Sequence, residues 1–191
     1  MRSNHLRYGG RRHRPVETHR RRGSILPLAG AILVTVFAFA AFTIDFGVIT
    51  VAKGQMQNAA DASAHAAMLE LTDALAPGYA AAQSTVAANA RERAVEMVGR
   101  FRTADQNSTI ANADRDIRLG RRSWNEVSGS WVTDWNSTPY NVVEVTVRRT
   151  SEVDAAIPLT FARVLGYSDF DIQTKSTASV SPGVGFRLPP Q

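Results

Sequence analysis

Residues 24–44 read SILPLAGAILVTVFAFAAFTI, 21 residues without a charge, bounded by Arg20, Arg21 and Arg22 on one side and by Asp45 on the other. At about 1.5 Å of rise per residue, a helix of this length spans roughly the 30 Å of a bilayer's hydrocarbon core. A buried core helix is the competing use of such a run, but its length and its charged edges favour a membrane span. A cleaved secretory signal shares the pattern of a basic stretch followed by an apolar one. Its apolar core is usually only about 7–15 residues, however, and the run here is longer and leads into a further helical segment, so retention of the anchor is expected. Short flanks rich in Arg stay in the cytoplasm, and only Lys53 lies close to the other end, which predicts a cytoplasmic N-terminus and an exported C-terminus. Ser24 suits the helix cap, and Pro27 falls in the first turn, where a missing amide proton costs little.

The charge distribution agrees with an anchor. The net charge of +5 and the pI near 10.2 suggest a polyanion partner only if the charge is spread over the folded surface. It is not: residues 1–22 carry eight arginines against Glu17, whereas residues 54–191 carry 13 basic and 15 acidic residues. The folded part is close to neutral, and nucleic acid is not an expected partner. The tail, with its glycines, Pro15 and three histidines but no apolar periodicity, reads as disordered. It serves as a topology signal through Arg20, Arg21 and Arg22, or it binds anionic lipid at the inner leaflet. The absence of cysteine removes disulfides, thiolate nucleophiles and Cys-built metal sites, so the exported part must hold together by its own core.

Beyond Asp45, residues Met56, Ala60, Ala64, Ala67, Leu71 and Leu75 recur at steps of three or four, which is one face of a helix. The small alanines permit close approach of another element. The anchor is therefore expected to continue as a stalk past Gly47 and Gly54, until Pro77 and Gly78 end it.

This order of features resembles the TadG-like (TadE/TadG) proteins of tight-adherence (Flp) pilus assembly. The similarity covers residues 21–70. It starts at Arg21-Arg22-Gly23-Ser24, passes through the apolar run into Ile44-Asp45-Phe46-Gly47, and ends in Gln57-Asn58-Ala59-Ala60-Asp61-Ala62. A softer likeness to the same chains lies in residues 141–149, 158–166 and 172–180, which look like a strand, a Phe-containing helical turn with Leu-Gly, and a final strand. The resemblance implies a bacterial cytoplasmic-membrane component of a pilus or secretion assembly. It singles out Asp45, Gln57, Asn58 and Asp61 as candidate partner-contact residues. Processed pilins of related systems carry Glu five residues after the cut. Counted from Gly23 that place holds Leu28, which implies an uncleaved assembly component. Asp61-Ala62-Ser63 mimics the start of a von Willebrand-type metal motif, but it sits in a helix pattern, and no metal is expected there.

The rest of the chain reads as an α+β domain. A second helix is expected over residues 79–101, with Val86, Ala90, Met97, Val98 and Phe101 on one side and a Glu96–Arg100 pair outside. After a polar connection over residues 103–113 the period changes to two. Ile117 and Leu119 suggest one strand, the residues around Val127 and Trp131 a hairpin, Val143, Val145 and Val147 a third strand, and residues 170–180 a fourth. About four antiparallel strands with helices against one face follow, and a pilin-like arrangement, with the long helix on the sheet, is one version. The expected organisation is a basic tail (1–22), a transmembrane helix (23–46), a helical stalk (47–76), an exported domain (77–181) and a flexible end (182–191). Trp124, Trp131 and Trp135 gather in the hairpin, as core filling, sheet-edge packing or a sugar or partner platform.

Catalytic constellations are sparse. The exported part has one histidine, His65, inside the alanine-rich helix, which leaves a Ser-His-Asp triad or a two-His metal site nothing to be built from. The acidic pairs Glu152 with Asp154 and Asp169 with Asp171 sit beside turn residues, where solvated acids are ordinary. No glycine-rich phosphate loop follows a strand, and no cofactor is expected. The expectation is a non-enzymatic protein acting by helix packing and protein contacts. Its expected partners are membrane lipid, other assembly proteins and a second copy through the N-terminal helix. A signal-anchored envelope binding protein of unrelated function is the alternative.

Overall fold

The computed structural model describes residues 25–74 and 83–181. Helix α1 is Ile25–Ala74. The chain divides into two compact units after Phe37, and in the first unit the described residues 25–37 are helix with every side chain exposed. The most apolar 18-residue window of α1 has a mean hydropathy of 2.4, and no part of it is buried by protein. Within the apolar run, the Thr35 hydroxyl donates to the Ala31 carbonyl and the Thr43 hydroxyl to the Phe39 carbonyl, each at 2.8 Å. Both polar groups are thereby satisfied locally, as a helix surrounded by hydrocarbon requires.

The second unit, from Ala38 onward, is α+β. Met56, Ala60, Ala64, Ala67 and Leu71 are buried on α1 as their spacing predicts, while Leu75, Pro77 and Gly78 lie outside the described residues. Helix α2, Gln83–Gly99, buries Val86, Ala87, Ala90, Ala94 and Val98. Met97 and Phe101, expected on that face, are only half-buried. Glu96 pairs with Arg100 as expected and also with Arg93, on the solvent side.

The stretch read as a polar connection ends in an extra turn, α3, Ala113–Asp116, whose cap the Asn112 side chain supplies to the amides of Asp114 and Arg115. Four strands follow: β1 (Ile117–Asn125), β2 (Ser130–Trp135), β3 (Val142–Arg149) and, after a short pair, the closing strand. The short pair is β4 (Ile157–Pro158) with β5 (Asp169–Phe170), and the closing strand is β6 (Ile172–Ser179). The large sheet is antiparallel in the order β2-β1-β3-β6. As an inner strand, β3 is buried along most of its length, and even Thr146 is covered. Its Val143, Val145 and Val147 share one core with Leu119 of β1, Ala178 of β6 and the alanine face of α1.

Arg149, at the end of β3, has a fully buried side chain. Its guanidinium donates to the carbonyls of Thr103, Ala155 and Ala156 and to Asp105, joining the loop after α2 to the loop after β3. A strand-end arginine in the sequence gives no sign of this.

Candidate interaction site

Asp45 lies on α1 directly after the uncharged run and is buried. Its carboxylate receives hydrogen bonds from three consecutive amides of a distant loop. Thr160 N–H donates to Oδ1 at 2.9 Å, Phe161 N–H to Oδ2 at 2.9 Å and Oδ1 at 3.2 Å, and Ala162 N–H to Oδ2 at 2.6 Å. These amides open the 3-10 turn Ala162–Leu165, whose cap residue Phe161 has no side-chain acceptor. The first amides of a helical turn lack partners within it, and a carboxylate there satisfies the amides and complements the local dipole. The sequence offered Asp45 two uses, a boundary marker or a partner contact; its carboxylate is turned to its own chain. The turn belongs to residues 158–166, one of the softer likenesses noted above. No local signal pointed to this pairing, because Thr160 is itself a residue type that can cap a helical turn.

The second group divides. Gln57 Nε2–H donates to Asp61 Oδ1 at 2.9 Å, as their spacing of four residues allows, and to the Lys175 carbonyl of β6 at 3.3 Å. Both side chains are half-buried, and they tie α1 to the sheet edge. Asn58 is exposed, on an outward stripe of α1 with Val51, Gly54, His65 and Leu69. Arg20, Arg21 and Arg22 lie outside the described residues.

At the other end of the unit, Trp124 and Trp131 face each other across β1 and β2 with ring centroids 5.6 Å apart, edge to face. Both are half exposed, so they pack the sheet edge and do not fill the core. With Thr72, Pro139 and Val180 they line an open cleft of about 780 Å³. Trp135 instead lies under the Arg118 guanidinium, 4.3 Å from the ring centroid.

Of the acids that drew attention as hydrolytic pairs, Glu152 is exposed and the other three have structural partners. Asp171 accepts the Ser151 amide at 2.7 Å, Asp154 lies 3.5 Å from Arg115, and Asp169 accepts from the Ser168 hydroxyl. His65 is exposed, and among the described residues no three His, Asp or Glu side chains are grouped to hold a metal.

No curated protein and no solved structure matches the chain. Residues 23–90 match the family model described as "Putative Flp pilus-assembly TadE/G-like". The matched segment covers about a third of the chain and contains the apolar run, Asp45 and the Gln57-Asn58-Asp61 group. Over this N-terminal segment, the chain is similar to the TadE/G-like family of Flp pilus assembly.

Proposed function

We propose that the protein is a non-enzymatic, single-pass component of a Tad/Flp-type pilus or secretion assembly in the bacterial cytoplasmic membrane, with its basic tail inside and its α+β part exported. The observation that carries this reading is the TadE/G-like match over residues 23–90, which contains an apolar 18-residue window of α1 that the protein leaves uncovered. Partner contact runs along the outward stripe of α1, where Asn58 stands among Val51, His65 and Leu69. Gln57, Asp61 and Asp45 hold the helix to the rest of the unit and so present that stripe. Other assembly proteins or a second copy of the chain are the occupants this stripe suits, because Val51 and Leu69 offer apolar contact while Asn58 and His65 offer hydrogen-bonding groups.

Deleting the protein in its own host is expected to abolish surface filaments or assembly-dependent secretion, restored by the full chain and not by a version lacking residues 24–44. Filaments and secretion that persist after deletion would refute the assembly role. They would favour an envelope binding protein, for which the Trp124–Trp131 cleft supplies a surface.

A further inference from the structure

The segment between β4 and β5 is a knob closed at its base and apolar at its tip. Ile157 and Pro158 pair with Phe170 and Asp169, and the Leu159 amide donates to the Ser168 carbonyl at 3.0 Å. Gly166, with φ near +92°, ends the 3-10 turn in the left-handed conformation that glycine adopts without strain. The knob's core contribution is made by Ile157 and Leu159, both buried. The remaining apolar side chains have no such use: Val164 is 88% exposed, Leu165 77% and Tyr167 68%, with Phe161 and Phe170 also open. Clustered exposure of this kind on a small unit marks a contact surface.

Where the knob sits identifies the contact. Asp45, the first charge after the uncharged run, holds the amides of Thr160, Phe161 and Ala162 directly. Leu165 is three residues from Ala162, so at most about 11 Å of chain separates the tip from the clamp. The headgroup region occupies roughly 5–7 Å on each side of the hydrocarbon. A membrane helix that ends near Ile44 therefore sets the tip at the bilayer surface. On α1 itself, Phe42 and Phe46 flank Asp45 as an exposed stacked pair, 6.3 Å between centroids. Tyr167 suits that level, where an aromatic body meets lipid and a polar end meets water, and exposed Arg163 can reach lipid phosphate.

We propose that the knob over residues 159–168 is a second membrane contact, resting Val164, Leu165 and Tyr167 in the outer lipid interface while Asp45 fixes its depth. The exported unit is then attached at two points, the helix and the knob, which limits its swivel about the anchor. This rests on the reading of residues 24–44 as a membrane span.

The absence of cysteine allows a direct test with single-cysteine variants of the full chain. Leu33→Cys, Leu165→Cys and Val127→Cys each carry an environment-sensitive fluorophore in vesicles of phosphatidylethanolamine and phosphatidylglycerol. Nitroxide lipids, labelled near the top or near the end of the acyl chain, serve as quenchers. Val127 is exposed in the β1–β2 turn of the Trp hairpin, whose cleft Thr72 lines, about 40 Å along α1 from Asp45, and is the aqueous control. The expected result is loss of most Leu165→Cys emission with the shallow quencher, little loss at Val127→Cys, and strong quenching of Leu33→Cys by the deep one. Quenching at position 33 without quenching at 165 would overturn the knob proposal and leave the anchor standing. Blue-shifted but unquenched emission at 165 would assign the knob to a protein surface and overturn lipid contact. An unquenched probe at 33 would remove the membrane span and the knob proposal with it.

Discussion

Asp45 shows how one side chain can link two stretches 115 residues apart. Hydrogen bonds to a charged acceptor contribute about 1.5–3 kcal/mol each, and a buried amide left without a partner has a cost of similar size. Asp45→Ala removes the acceptor of three amides at once, in a loop whose other constraints are the β4–β5 pair and the Leu159–Ser168 hydrogen bond. If about 3 kcal/mol of local stability is lost, the amides of Thr160, Phe161 and Ala162 should exchange with deuterium roughly 100-fold faster. Exchange in β3 should not change, because its ladder is independent of the clamp. Uniformly faster exchange across the sheet would show that Asp45 supports the fold as a whole and not the knob alone.

At the scale of elements, the junction of α3, β1 and β3 depends on Asp116, which is 1% exposed. Burial disfavours its ionised form, but bonds from Arg115, the Asn112 amide and Arg148 outweigh it and hold the carboxyl below its ordinary range. Because the folded-state value is depressed, the stabilisation is present above the unfolded value near about 4 and is lost as pH falls through the lower folded one. The thermal stability difference between the wild type and Asp116→Asn should be large at neutral pH and should shrink as pH falls below about 4. A difference independent of pH would show that packing, not charge, makes Asp116 matter. The neighbouring pairing of β1 with β2 has a tight point at Gly120, where a Cβ would lie 2.8 Å from the Asp134 carbonyl oxygen. Glycine there permits the close approach that the alternating pattern of β1 does not reveal.

For the whole molecule, orientation is the property to measure. Eight arginines before Gly23 and a nearly neutral remainder give a strong inside preference to the N-terminal flank. A reporter enzyme active only outside the cytoplasm should work when fused after Gln191 and fail when fused before Gly23. The reverse result would show that charge asymmetry does not set the orientation of this chain.

Hydrophobic periodicity was enough to determine the main elements, though not the α3 turn or the short β4–β5 pair. The apolar run, the alanine face from Met56 to Leu71, α2 and the four strands of the sheet were all legible, because secondary structure is written in local repeats of 3.6 and 2 residues. The resemblance to the TadE/G-like family was legible as well, since it lies in a contiguous order of features that the family model also matches. Tertiary structure alone decided what the polar residues do. Asp45 read as a boundary charge or a partner contact, and only the fold brought the uncapped amides of residues 160–162 to it. Gln57 and Asp61 looked like one strip with Asn58 until β6 took Gln57 and left Asn58 outside. Nothing local in the sequence marked Arg149 as the buried tie between two loops. A hydrogen bond depends on a partner's direction and distance, and the partners at Thr103, Asp105, Thr160 and Lys175 lie 44 to 118 residues away, beyond any local pattern.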